Sequence, residues 1–399
     1  MTFMSLHQLR HMAGHLLTPL LMCLGMGLAY LGAFHQPEPH HVQVAIVGDS
    51  PQVKVMAQTL KDRAGDALDV VTIADRADAV DRLQHRDLAG AFVPDAQSPE
   101  LLVAKANSDT TAMAVETVFG AVTAQQNLPL RTIDIAPSAS GDPTGQGLFF
   151  VLVALSIGAY GSVAAISVAG AGTRMAVRAL TAVATSFVVS VIGIVLAGPV
   201  FHIVDHDYAS IWAMAWLYAA GILFIGIGLH PFLKRWTTLA MMVLFVMLNF
   251  TTSGGIYRPE LQNGFFGALH SFWNGAGFVE GARSLLYFDG NGGLGGRIVS
   301  LALWFAAGVV LVLVGGAYER RRAAAQSPAH VPAHAAMSVA AHAAAQDSAR
   351  AVPAGASAAA PAHAAAPAAA APMSGNAASG EDFDEDSDAE EEIEQAVGV

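Results

Sequence analysis

The sequence predicts an α-helical polytopic membrane protein with six transmembrane helices and one extracytoplasmic α/β (α+β) domain between helices 1 and 2. Three observations carry this expectation. The chain has 399 residues, of which 54% are hydrophobic and only 13% charged, where an ordinary soluble domain is about 25% charged. Its apolar residues gather in six runs of near-spanning length, a bilayer crossing needing roughly 20 residues. Connections two-to-three and four-to-five and the segment after the last run carry Lys or Arg while the short connection three-to-four carries none, the asymmetry that sets orientation; the long segment 35–145 carries Lys and Arg too but is not governed by that rule.

Residues 1–15 are expected on the cytoplasmic side, and 16–34 form the first span. A cleaved signal peptide is the competing reading. The flanking charge is only Arg10, and bulky or polar residues (His35, Gln36, Pro37, Glu38) follow Phe34, so an uncleaved helix is preferred. The one cysteine, Cys23, lies in this run, which excludes an intramolecular disulfide and leaves the thiol as a small apolar group.

Between 35 and 145 the pattern changes. Strands are expected at 42–47, 70–73, 88–93, 101–106 and 131–135, alternating with helices at 51–64, 77–84 and 110–125. Ser50 and Pro51 have the chemistry of an N-cap and a first helical position. Alternation of this kind describes a small mixed α/β domain.

Five further apolar runs follow within 146–317, at 147–168, 180–201, 211–229, 239–250 (236–251 when extended) and 298–315. Arg174 and Arg178, then Lys234 and Arg235, then Arg320, Arg321 and Arg322 share one side if there are six spans. The short connection 202–210 has no Lys or Arg and takes the other side. Both termini are then cytoplasmic, in a multi-pass protein of the cell (plasma or inner) membrane.

The remainder, 318–399, reads as a disordered cytoplasmic tail, Ala- and Pro-rich with an acidic end. The last 19 residues hold ten acids and no Lys or Arg, so without them the net charge moves from −12 to −2. The acidity belongs to the tail and says nothing of the folded part.

Between the fifth and sixth runs, 251–297 is too polar and glycine-rich for a span and too apolar for a free loop. Phe265, Phe266, Leu269, Phe272 and Trp273 recur at helical spacing, and a second helical stretch, 278–287, follows an expected break at 274–277. Two short helices suit a re-entrant hairpin, 254–290, which is tolerated at membrane depth only where protein or water covers its free backbone groups. Glu280 and Arg283, three apart, can pair on one helix face.

Here the run Ser253-Gly254-Gly255, Pro259-Glu260, Phe265-Phe266, Ala268-Leu269-His270, then Val279 and Arg283, resembles the end of the permease subunits of ABC type-2 exporters. It is closest to the phage infection protein-like branch of that superfamily. The resemblance covers roughly 16–317 and is dense only in 251–284. It implies one helix, a large outer domain, then five helices with a re-entrant outer hairpin before the last. The runs AIVGDS (45–50) and AGAFVP (89–94) sit where that family has strands ending in an Asp-containing turn and in proline. Two departures stand out: Ser271 and Asn274 occupy positions where the family has prolines, and Gly277 replaces a tyrosine.

The resemblance implies a permease working as a homo- or heterodimer among membrane lipids. It places Pro259, Glu260, Phe265, Phe266, His270, Trp273, Glu280 and Arg283 in the hairpin and exit path. No G-x-x-x-x-G-K-[ST] loop occurs, so ATP would be handled by a separate nucleotide-binding subunit and the chain itself needs no cofactor. The basic connections carrying Arg174, Arg178, Lys234 and Arg235 are candidate ATPase docking loops, and equally plain topology anchors. No acid lies within the six runs, which argues against proton or sodium coupling. No catalytic constellation is visible and no nucleic-acid partner is expected. His202, Asp205 and His206 have metal-ligand chemistry but read as an exposed polar loop, and the sequon at Asn249 reads as coincidence. The expectation is therefore an exporter of an amphipathic or lipid-like substrate, with a membrane-anchored envelope receptor or scaffold as the alternative.

Overall fold

The computed structural model describes residues 6–326. The tail reading for 327–399, its acidic end included, lies outside the described residues.

Helix α1 spans Leu6–Phe34. Leu20, Leu24, Leu28 and Leu31 form one exposed stripe along it, each more than half exposed. Apolar stripes of that length do not face water in stable soluble proteins.

The α/β lobe follows, in the order β1 (Val42–Val47), α2 (Pro51–Ala64), β2 (Leu68–Ile73), α3 (Arg76–Gln84), β3 (Gly90–Val93), β4 (Glu100–Val103), α4 (Asp109–Ala124) and β5 (Arg131–Asp134). Each predicted strand and helix of the lobe is present, with ends displaced by at most three residues. Ser50 caps α2, its hydroxyl accepting from the Val53 amide at 3.3 Å, and Asp75 and Ser108 cap α3 and α4 in the same way. The sheet order is β2-β1-β3-β4-β5, with only the β3–β4 pair antiparallel. Along β1, Val42, Val44 and Ile46 face the core shared with α2 and α4, while Ala45 and Val47 face the core shared with α3. That alternation is the period-two geometry of a strand covered on both faces. Phe92 stacks on Phe119 at 4.9 Å in the first core. Each large side chain buried there contributes about 1.5–3 kcal/mol, and the lobe has no disulfide to add to this because Cys23 stands alone in α1.

The helical part comprises α5 (Gly147–Ala169), α6 (Met175–Val195), α7 (Tyr208–Leu233), α8 (Thr237–Met242), α9 (Leu248–Thr252), α10 (Gly264–His270), α11 (Asn274–Tyr287) and α12 (Leu294–Gln326), whose residues from Tyr318 on belong to a second unit. Asp142 closes the start of α5, its carboxylate accepting from the Gln146 and Gly147 amides at 3.0 and 2.8 Å. Wide π turns at Leu196–Val200, which contains Pro199, and at Val243–Met247 extend α6 and join α8 to α9.

Five stretches are long and apolar enough to cross a membrane: Met12–Phe34, Gly147–Ala169, Met175–Val200, Tyr208–Thr252 and Leu294–Gln326. The sequence predicts six. The fourth and fifth expected runs fall together in Tyr208–Thr252, which contains a break: Lys234 has φ 48° and ends α7. Beyond the break the Met241 methyl lies against Gly226, so α8 returns alongside α7.

Helix α7 is the buried centre and α12 crosses it closely. A Cβ on Gly228 would fall 2.7 Å from the backbone between Leu311 and Val312, and one on Gly308 would meet Phe224 Cβ at 2.7 Å. Helices in lipid associate through such close backbone approach. The polar groups at the centre of this core are uncharged: Tyr218 OH bonds Ser156 Oγ at 2.5 Å and accepts from Asn249 Nδ2. Asn249 is fully buried there, so its sequon is not an accessible acceptor.

Replacing Gly228 with Leu is expected to cost about 1–3 kcal/mol through overpacking against backbone that cannot yield. Thermal unfolding in detergent would show it as a lowered midpoint. Gly161→Leu, where a Cβ meets nothing within 4 Å, leaves the midpoint unchanged.

Candidate functional site

Helix α11 is almost entirely buried because small residues (Gly275, Ala276, Gly277, Gly281, Ala282) line it. The sequence suggests a break at 274–277, but the chain breaks at 271–273 and Asn274 opens α11. Glycine reads as a breaker when packing is unknown. Here a Cβ on Gly275 would meet Asn249 Oδ1 at 2.0 Å, so this turn of helix is glycine-rich because α9 lies against it. The Phe272 carbonyl freed by the break accepts from Ser300 Oγ and Trp304 Nε1 of α12, both at 2.8 Å.

Inside this arrangement Glu280 is 1% exposed and meets three guanidiniums. Arg283, one helical turn on, bonds its Oε1. Arg86 of the α/β lobe bonds its Oε2, and Arg258 reaches the same oxygen at 3.2 Å. Each arginine has further partners. Arg86 donates to Asn107 Oδ1 and Ser284 Oγ, both at 2.8 Å, and lies over the Phe288 ring. Arg258 donates to the same Asn107 Oδ1 at 2.8 Å and to Glu260 Oε1 at 2.9 Å. Arg283 donates to the Gly254 carbonyl at 3.2 Å. The cluster therefore ties the lobe (Arg86, Asn107) to the connecting segment (Gly254, Arg258, Glu260) and to α11 (Glu280, Arg283, Ser284). Thr110 Oγ1 donates to the Ile256 carbonyl at 3.1 Å and strengthens the same junction.

Gly254 completes the cradle. It has φ +73°, and a Cβ would fall 2.7 Å from both Glu280 Oε1 and His270 Cε1, so no other residue fits. His270 is buried, with Nδ1 2.8 Å from the Thr252 carbonyl. Only the Nδ1–H tautomer can donate there, which leaves Nε2 to accept from Arg297, 3.3 Å away.

The electrostatics follow. Burial pushes the Glu280 carboxyl up, but Arg283, Arg86 and Arg258 outweigh it and hold the group well below the usual carboxylate range. Burial lowers Arg86 to about 10 against the pull of Glu280. Burial also lowers His270 to about 4, helped by Arg297 and Arg258 and opposed by Glu280, so the imidazole is neutral at pH 7.

The expected Glu280–Arg283 pair is present as part of this larger cluster. Of the other hairpin residues, Pro259 and Glu260 form a short turn at Pro259–Leu261, whose Glu260 carbonyl accepts from the His40 amide at 2.7 Å. Phe266 is buried near Gly32 of α1, while Phe265 is exposed. Trp273 is buried, its indole donating to the Leu244 carbonyl at 3.1 Å and its ring 5.1 Å from that of Trp304. Of the basic residues considered for docking, Arg174, Lys234 and Arg235 are exposed. Arg178 instead belongs to α6 and is 6% exposed, its stem against Gly170. His206 pairs with Asp205 at 2.5 Å on the exposed connection before α7.

Arg86, Asn107, Arg258 and Arg297 were not legible as site residues. Arg258 adjoins Pro259-Glu260, which is a signal. Arg86 follows an ordinary polar helix in sequence, and its φ of 66° is not visible there.

Outward leucines, long apolar helices and a small sheet together make this a helical membrane protein. Compared with family models, curated proteins and solved structures, the chain matches none.

Two outcomes are expected. Gly254→Ala strains the backbone and crowds Glu280, lowering stability by about 1–3 kcal/mol in thermal unfolding. His270 has a folded pKa below its unfolded value of about 6.5, so its contribution is complete above that pH and is lost as pH falls toward about 4. The loss is about 3 kcal/mol, and His270→Gln should flatten the midpoint-versus-pH curve in that window.

Proposed function

We propose that the chain is the permease subunit of an ATP-driven exporter of the ABC type-2 kind, moving an amphipathic or lipid-like substrate outward with ATP hydrolysed on a separate subunit. The reading takes the folded-back stretch Tyr208–Thr252 as two crossings, six in all, and takes the α/β lobe between the first and second as extracytoplasmic. The observation that carries the reading is the buried Arg86–Glu280 contact. A lobe serving only as a tethered receptor needs no buried charge shared with the helical core. A lobe that must move with the helices does, because separating the pair strands a carboxylate out of water.

Two further features support it. The bundle core offers hydroxyls and an amide but no acid at Ser156, Tyr218 and Asn249, which suits energy supplied from outside the chain. Exposed Arg174, Lys234 and Arg235 stand at the ends of α5, α6 and α7, where a cytoplasmic ATPase would dock. The exposed apolar faces of α6 and α12 suit lipid and a second permease copy.

Affinity purification of the full chain in mild detergent should recover an ATPase, and inverted vesicles should show ATP-dependent movement of a lipid-like dye. Recovery of no ATPase together with no ATP-dependent movement contradicts the proposal and favours the receptor or scaffold. In a Cys23→Ala background, Lys61→Cys should react with an impermeant maleimide from outside intact cells and Arg174→Cys only after lysis. Labelling of both from one side contradicts the six-span layout.

A further inference from the structure

Beside the Glu280 cluster lies a polar cleft of about 320 Å³, lined by His85, Arg86, Asp87, Arg258, Glu280, Gly292, Gly293 and Arg297. It has room for about ten waters at ~30 Å³ each. Its charge is unbalanced. Three guanidiniums (Arg86, Arg258, Arg297) line it against two carboxylates, buried Glu280 and Asp87 on the exposed rim, while Arg283 and Glu260 pair with Glu280 and Arg258 behind the lining. Both Glu280 oxygens are already taken up, and Glu260 is held by Arg258. Arg297 lies within ion-pair distance of no carboxylate among the described residues; it reaches only the His270 carbonyl and ring, at 3.3 Å each.

The backbone is bare where the cleft opens. Gly292 has φ +76° and supports the Arg86 stem, which a Cβ would strike at 2.4 Å, and a Cβ on Gly293, Gly295 or Gly296 would meet nothing within 4 Å. The first amides of the long helix α12 are therefore uncovered beside Arg297. Paired guanidinium forks with free helix-start amides recognise tetrahedral oxyanions.

We propose that this cleft binds a phosphate group, carried by a lipid headgroup or by a soluble phosphate. The cleft sits at the start of the apolar stretch Leu294–Gln326, where a headgroup would lie. The proposal gives a ligand class to the permease reading and rests on it only for the consequence. Binding is measured without ATP or transport, so each can fail alone.

The test is calorimetric titration of the purified full chain in nonionic detergent with inorganic phosphate, dihexanoyl phosphatidic acid and, as the phosphate-free control, dihexanoylglycerol. Binding of a phosphate probe, weakened at least tenfold in Arg297→Gln, is expected. His85→Glu, which adds a carboxylate at the exposed rim and leaves the buried cluster intact, should weaken it comparably. Phosphatidic acid binding tenfold or more tighter than inorganic phosphate assigns a lipid source, and equal binding assigns a soluble one. The proposal is overturned if neither phosphate probe binds better than dihexanoylglycerol, or if both variants bind as the parent does.

Discussion

A carboxylate held out of water governs this structure. Stripping the hydration from one carboxylate costs several kcal/mol after all relaxation, and Glu280 is recovered only because Arg86, Arg258 and Arg283 reach it together. Those arginines come from the α/β lobe, from the segment after α9 and from α11 itself. Their positions are consequently interdependent. Gly254 must lack a side chain for the carboxylate to fit, and Asn107 holds Arg86 and Arg258 in register by accepting from both. The lobe is attached through its charge as well as through its chain.

The apolar part obeys a different rule. In lipid there is no gain from hiding apolar side chains, and they cover the outward faces of α1, rich in leucine, and of α6 and α12, rich in valine. Close contact has to come from small residues, and Gly228 and Gly308 let α7 and α12 meet backbone to backbone. At the centre of this core, Ser156, Tyr218 and Asn249 bond one another as uncharged partners. Apart from Arg178 in α6, the buried charge among the described residues gathers at the junction with the lobe, where an excess of guanidinium also leaves the cleft at the start of α12 basic.

How much of this could be read in the sequence depended on range. The lobe was legible because its signals are local: Ser50 before Pro51 marks a helix start, and the short apolar run Val42–Val47 marks a strand. The apolar runs were legible for the same reason, although the fourth and fifth merge into one stretch folded at Lys234. The Glu280–Arg283 pair was legible as an i,i+3 spacing. Arg86 was not, since 194 residues separate it from Glu280 and no local pattern encodes that contact. The misplaced break at 274–277 has a similar origin. Gly275 and Gly277 signal flexibility to a local reading, whereas the neighbours that require their smallness, Asn249 and Leu301, are distant in sequence.

The central claim is that Arg86 and Glu280 act as one unit holding the lobe to the helices. A double-mutant cycle of Arg86→Met and Glu280→Gln, followed by thermal unfolding of the full chain in one detergent, measures it most directly. A coupled pair gives a double variant more stable than the sum of the single losses predicts, by about 2 kcal/mol or more. Losses that add to within about 0.5 kcal/mol would contradict the claim.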